Sequence, residues 1–310
     1  YLVGLLNAAI DPAKPTYAYV PAPPALGTDA IRVAMIYKPG KLSLAGAAMS
    51  DGDAVNNRPP MAQAFKAPNG ARFSVIVNHM KSKACGSNAD GLNADQGDGQ
   101  SCFNLDRVEQ ATRLANYFIP QVKSASGDQD VLVIGDLNSH GAEDPIHVLT
   151  SSGLVNELER HVRPHSQPYS YVFGGLAAYL DHALATPSLD AQVVDATEWH
   201  NNADEPEVID YNIGGKPQDL YASNAYRASD HDPVVVSLDL PATYADASAS
   251  FTTKLSGPAY NRTSQKFTGT YSFTNKTAGA ITGPFQVTFA NLPAAVTRTK
   301  DSREFNGGRY

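Results

Sequence analysis

The chain has 310 residues, 42% of them hydrophobic and 18% charged, with a net charge of −7. That composition supports a sizeable core and excludes a largely disordered chain. The length allows two domains, and no run approaches the roughly 18 apolar residues of a membrane span.

Charge is unevenly distributed. Residues 241–310 hold 8 Lys+Arg and 3 Asp+Glu, so residues 1–240 carry −12. The larger part is therefore no basic sleeve of the kind that binds nucleic acid by neutralising phosphates. An acidic protein can still handle phosphate if a divalent cation and a few local cations supply positive charge. Nothing at Tyr1–Ile10 resembles a signal peptide and no Met starts the chain, which is expected to be a mature or excised piece.

Strands are predicted at Ile31–Tyr37, Arg72–Val77, Val131–Ile134, Leu180–Ala185 and Pro233–Leu240. They are short, rich in Val, Ile and Leu, and several are apolar on both faces, as in a sheet buried on both sides. Between the first strands lie Cys85 and Cys102 in a loop of Gly, Asn, Asp and Ser. They read as a disulfide worth ~3 kcal/mol by the chain-entropy model, with two free thiols as the alternative. A disulfide would place the protein outside a reducing cytosol. A helix is predicted over Leu105–Phe118, with an apolar stripe of Val108, Ala111, Leu114, Ala115 and Phe118. Ile119-Pro120 is expected to close it. A second short helix is predicted from Pro145 to Thr150. The mixture argues for an α/β sandwich.

Composition shifts near Pro241. Beyond it, Phe267, Tyr271 and Phe273 share one parity, and Phe285, Val287 and Phe289 repeat the pattern. Asn275-Lys276 and Gly283-Pro284 supply turns. This predicts an antiparallel meander, the start of a small immunoglobulin-like β-sandwich. The expected division is 1–242 and 243–310.

Four apolar strands run into polar, titratable clusters. These are FSVIVNHMKSK (Asn78, His79, Lys81, Lys83), VLVIGDLNS (Gly135, Asp136, Asn138, Ser139), YSYVFGGLAAYLDHAL (Tyr169, Tyr171, Phe173, Asp181, His182) and ASDHDPVVVSL (Ser229, Asp230, His231, Asp232). Strand ends on a rigid sheet are where a site can be built accurately. Oxygen donors of Asp and Asn suit Mg²⁺ or Ca²⁺. Histidine suits proton transfer at neutral pH. His161 and His165 are spaced as a helical metal pair, but Pro164 lies between them. His140, His147 and His200 read as ordinary loop or surface residues. Gly214-Gly215-Lys216 is followed by Pro217, so it is no phosphate-binding loop.

The ordered motif set resembles the endonuclease/exonuclease/phosphatase superfamily, the fold class of pancreatic-type deoxyribonuclease, and is similar to secreted bacterial extracellular nucleases. The resemblance covers residues 1–240 and implies a four-layered α/β sandwich of deoxyribonuclease I type. It implies that Asp136 activates water, Asn138 holds that water or a phosphate oxygen, and His231 contacts the phosphate. Asp181 fixes the tautomer of His231, as a carboxylate does in a protease triad. The resemblance implies that His79 is the second histidine, hydrogen-bonding the phosphate or protonating the leaving oxygen. Asp230 and Asp136 serve the metal, which is Mg²⁺, with Ca²⁺ or Mn²⁺ as alternatives. Asn78, Lys81, Tyr171 and Arg107 are candidate substrate contacts, and Lys83 and Tyr169 extend the groove. Ser229 is a supporting group and His182 a packing residue.

The expected activity is metal-dependent hydrolysis of DNA, and of RNA as an open alternative, by a monomeric bacterial protein outside the cell or on its surface. A phosphatase or lipid phosphodiesterase on the same scaffold is a second reading, and a non-catalytic binding module a third. No exposed apolar hairpin suited to a membrane is evident in the sequence. The family's strand with a metal-binding Glu has no match, since the first glutamate is Glu109. The chain is expected to begin just after that Glu, with weakened metal binding, and Asn7 is not the family's N-terminal Asn.

Overall fold

The computed structural model describes residues 1–281, 304–305 and 308–309, apart from 12, 15, 164, 211, 213, 216–219, 242–246, 258, 264 and 269. The chain divides into two units, Tyr1–Pro241 and Ala242–Tyr310.

The first unit opens with helix α1 (Leu2–Ala9), whose Asn7 side chain bonds both backbone groups of Tyr17. Four two-residue strands follow: β1 (Ala18–Tyr19), β2 (Ile36–Tyr37), β3 (Ser43–Leu44) and β4 (Met49–Ser50). The predicted strand Ile31–Tyr37 shrinks to β2, whose ladder partner among the described residues is the equally short β1. The long strands are β5 (Met61–Lys66), β6 (Arg72–His79), β7 (Val131–Asp136) and, after the two-residue β8 (Val155–Asn156), the β11 strand (Asp181–Ala185). Between β8 and β11 lies a hairpin of β9 (Tyr171–Phe173) and β10 (Leu176–Ala178). The main sheet has seven strands in the order β3-β5-β6-β7-β11-β8, with β4 added to β5. β6 and β7 run parallel, and β7 and β11 antiparallel.

Residues of alternating parity divide this sheet between two cores, as period-2 geometry requires. Ile76, Val131, Val133 and Leu184 pack on α2 (Asn104–Arg113), α3 (Ile119–Ser126) and α4 (Asp144–Ser151) through Ala111, Val122 and Leu149, with Leu114 between α2 and α3. Phe73, Leu132, Ala183 and Ala185 face the opposite way. They join Val193 of β12 (Val193–Glu198) and Val234, Val236 and Leu238 of β13 (Val234–Leu238). The short helices α5 (Glu157–His161) and α6 (Pro187–Asp190) link these layers. β12 and β13 pair antiparallel and alternate in burial, with Val194 and Val235 exposed. The β13 run is thus buried on one face only.

Pro120 does not end the helix. Residues Leu114–Phe118 form a π-turn, and α3 continues to Ser126, where Gly127 caps it at φ 67°. A wide turn shifts the hydrogen-bond register where proline lacks a donor, and proline at the second position of the new segment has no partner to lose.

In the second unit, β14 (Phe251–Leu255) pairs with β17 (Tyr271–Asn275) and encloses the pair β15 (Ala259–Asn261) and β16 (Lys266–Thr268). These are nested hairpins, not the predicted meander of sequential neighbours. Phe285, Val287, Phe289 and the Gly283-Pro284 turn lie outside the described residues.

Candidate active site

Strand register brings the titratable strand ends together. His79 is the ladder partner of Asp136 across β6–β7, and Asp136 is the partner of Asp181 across β7–β11. Directly opposed residues share a face of the sheet, so three side chains stand in one row. His231 joins the row from the loop before β13. Its Nδ1 lies 2.6 Å from Asp181 Oδ2, and its backbone bridges to Tyr171. Ser170 Oγ donates to the same Asp181 oxygen at 2.7 Å.

The turn after β7 is built by Asn138, which holds φ at 47°, a left-handed value that asparagine tolerates. Its backbone N–H donates to Asp136 Oδ1 at 2.8 Å. Its Nδ2 donates to Asp136 Oδ2 at 3.2 Å and to the Met80 carbonyl at 3.1 Å. The amide therefore fixes the Asp136 carboxylate and ties the β7 turn to the end of β6. His79 Nε2 stands 3.3 Å from Asp136 Oδ2. Asn78 is buried and its Nδ2 has no partner.

The electrostatics separate the two histidines. Burial, together with the charges of Arg58 and His231, pushes His79 down to about 4, so it stays a neutral imidazole. Burial also works against a charged His231. The Asp181 hydrogen bond and the charges of Asp181, Asp136 and Asp230 prevail and hold it at about 9, as imidazolium. Burial and the Asp181 charge lift Asp136 to about 6. One row thus presents a cation, a neutral imidazole and a carboxylate poised near neutrality.

The other expected residues fall into two groups. Ser229 Oγ accepts the His231 N–H at 3.1 Å, and the Tyr171 ring packs on the His231 ring at 4.6 Å between centroids. Asp230 is exposed and acts on both His231 and Tyr171 through its charge. Lys81 lies with its Nζ 4.1 Å from the Phe103 ring centre, beside the disulfide loop. Arg107, expected at the substrate, is 0% exposed. Its guanidinium donates to the carbonyls of Cys102 and Gln100, each at 2.8 Å, and of Lys81 at 3.4 Å. It is a structural clamp beneath the loop closed by the Cys85–Cys102 bond. Lys83 is likewise consumed, since its Nζ pairs with the buried Glu143 carboxylate at 2.5 Å. Tyr169 donates to Asp204 at 2.6 Å and stacks on His200 at 3.8 Å. His200 is no ordinary surface residue, because its Nδ1 also sits 2.9 Å from Asp232 Oδ2. Asp232 Oδ1 accepts the N–H groups of Asn201, Asn202 and Ala203 and so anchors the loop beside His231. His182 is buried, with Nε2 2.7 Å from the Ser139 carbonyl, as a packing residue.

Two features escaped the sequence reading. Arg58 lines a depression with Asn56, Asn78, His79 and Gln110, held by Asp29 Oδ2 at 3.1 Å and the Met80 carbonyl at 3.2 Å. Nothing in NNRPP marks it except a lone cation entering a strand. The second is the β9–β10 hairpin, which exposes Phe173 and Leu176 at its tip. It is an exposed apolar hairpin that the sequence reading did not find, and the Gly174-Gly175 turn was the available signal.

Among the described residues no three His, Cys, Asp or Glu side chains converge as a metal cage. The donor chemistry nevertheless fits Mg²⁺, which is held through one or two carboxylates and completes its shell with water and substrate phosphate. Asp136 and Asp230 are oxygen donors of that kind, and the Asp181 carboxylate is the ladder partner of Asp136.

Solved structures are similar to the chain at low identity. An endonuclease/exonuclease/phosphatase family protein from Bacteroides thetaiotaomicron is 17% identical, with a TM-score of 0.47 over 71% of this chain and 74% of that one. The mannosyl-6-phosphatase of the same species is 15% identical, TM-score 0.46, over 72% and 77%. A 3′ phosphatase from Neisseria bound to a product DNA hairpin is 16% identical, TM-score 0.36, over 59% and 65%. None of the curated proteins compared with the chain matches it. The model of the Endonuclease/Exonuclease/phosphatase family matches residues 11–231, which contain every member of the row, and the chain belongs to that family.

Proposed function

We propose that this chain is a metal-dependent phosphodiesterase acting on nucleic acid. Members of its family are nucleases and phosphatases and are generally dependent on a divalent metal. The observation that carries the reading is the single row of His79, Asp136, Asp181 and His231 on three adjacent strands and one loop.

Hydrolysis of a phosphodiester needs a nucleophile in line with the leaving oxygen and donors for the equatorial oxygens. Asp136 is the carboxylate placed to orient the attacking water and take its proton. Asn138 spends both amide hydrogens on Met80 and Asp136, so its contribution is to aim that base. Its Oδ1 is left to accept from the attacking water. The oxygen of water bonds to phosphorus as the ester P–O bond breaks, and the leaving oxygen takes the Nε2 proton of the His231 imidazolium. Asp181 holds the other ring nitrogen and so fixes which proton is given. Neutral His79 and the Arg58 guanidinium face the same depression and supply donors to the phosphate oxygens. A Mg²⁺ held by Asp136 and Asp230 would screen phosphate charge and lower the pKa of bound water. The disulfide suits a location outside a reducing cytosol.

The test is nicking of supercoiled plasmid with Mg²⁺, with and without EDTA, beside Asp136→Ala and His231→Ala. Chelator-sensitive nicking lost in both variants supports the reading. Release of phosphate from p-nitrophenyl phosphate without any nicking would replace it with a phosphatase.

A further inference from the structure

The His231 ring is the inner end of a short aromatic file. Tyr171 packs on it at 4.6 Å, and Phe173 follows Tyr171 at 6.2 Å with ring planes only 11° apart. Tyr171 and Phe173 are two residues apart on β9 and so share one face of the hairpin. The strand is fixed to the site by its own backbone, through the Tyr171–His231 bridge. Two left-handed glycines, Gly174 at φ 58° and Gly175 at φ 80°, close the turn and place Phe173 opposite Leu176. Both side chains are then driven outward, with Phe173 74% and Leu176 77% exposed. Exposing two large apolar side chains at a rigid tip costs solvation that burial would recover.

We propose that Phe173, backed by Tyr171, is a stacking platform for a nucleobase next to the scissile phosphate. This rests on the nucleic-acid reading of the site and adds the residue that selects the substrate's flanking group. The surroundings favour a neutral planar group. Tyr169–Tyr179 contains no Lys or Arg, and the charges of Asp230, Asp136 and Glu207 bear on Tyr171 against that of Arg227. The face of a base is neutral, and stacking on it needs no cation at the hairpin tip. The file also leads to His231 and does not spread sideways into a patch, as membrane contact would require. Base-on-aromatic stacking is tolerant of base identity, so the platform confers a demand for a base without sequence preference.

The experiment uses the full chain with Mg²⁺ and two probes: a thymidine dinucleotide, and matched dinucleotides in which one base or the other is replaced by hydrogen. Phe173→Ala is expected to raise KM on the intact dinucleotide about tenfold, the weight of one stacked base, with kcat kept. It should change nothing on one of the two abasic probes. Phe173→Tyr should restore the wild-type KM. An equal loss on all probes, or no loss on any, overturns the platform while leaving the nuclease reading intact. A Phe173→Ala/Leu176→Ala chain that loses binding to phosphatidylcholine vesicles, with unchanged dinucleotide kinetics, assigns the hairpin to membranes instead. Wild-type protein that cleaves p-nitrophenyl phosphate but no dinucleotide removes the nucleic-acid reading and the platform together.

Discussion

Gly135 and Asn78 oppose each other across the parallel β6–β7 pair so closely that a Cβ on Gly135 would stand 2.0 Å from the Asn78 carbonyl oxygen. Gly135 also holds φ at +127°, where side chains are strained. The contact lies one residue from both His79 and Asp136. Close approach of the two backbones there sets the spacing of the row.

Gly135→Ala therefore forces the strands apart. It should cost about 3 kcal/mol or more in urea unfolding, from strain and overpacking together. Gly153→Ala is the control. Gly153 has φ +100° but no atom within 4 Å of an added Cβ, so only backbone strain of ~1 kcal/mol applies. Equal losses for the two variants would show that the close approach is not what matters at Gly135.

Asp181→Asn keeps the shape and the Ser170 contact but removes the charge that holds the His231 cation. Under the proposed mechanism kcat should fall on the order of 10³-fold, with little change in Tm. In an NMR titration the His231 pKa should drop from its elevated position toward the ordinary histidine range, with His79 little affected. A variant of full activity would remove Asp181 from the site.

Glu157 offers a stability test far from the chemistry. It is fully buried, neither carboxylate oxygen has a hydrogen-bond partner, and burial lifts it to about 7. A carboxyl raised in the folded state is neutral in both states below its unfolded value near 4.5. As pH rises from there to about 7 the unfolded chain ionises first, and stability falls. Glu157→Gln removes that loss and keeps the side chain whose oxygen stands 3.5 Å from His161 Nε2. The variant should match wild type near pH 4 and exceed it by ~2–3 kcal/mol at pH 8. Thermal unfolding across that range checks it, and a gain independent of pH would contradict the burial argument.

Much of this arrangement was legible because β6 and β7 are buried on both faces, so FSVIVNH and VLVIGD stand out as strands whose polar ends must be special. The residues of the row were visible as types, but their alignment was not. It depends on the register of β6, β7 and β11, which backbone hydrogen bonding sets and no side-chain pattern encodes. Arg58 sits in a loop without periodicity, so nothing singled it out. Pro120 misled because its local rule ends helices, whereas the π-turn before it absorbs the missing donor. His200 read as a surface loop residue because the Tyr169 ring and Asp232 that hold it come from distant segments.

Arg107 shows the same limit. A cation in an amphipathic helix reads as exposed, since arginine is seldom fully buried without partners. Here the partners are three carbonyls from the loop leading into and out of the disulfide, which no sequence pattern announces. The structural assignment has a consequence that a substrate contact would not. Arg107→Met should leave those carbonyls unpaired in the interior and destabilise the chain by ~3 kcal/mol, at the upper end for lost hydrogen bonds from a charged donor. The loss should appear as a lower Tm and as faster proteolysis between Cys85 and Cys102. Because the same guanidinium braces the Lys81 carbonyl, one residue from Met80, kcat should fall modestly while KM stays near its wild-type value. A raised KM with unchanged Tm would return Arg107 to the substrate surface.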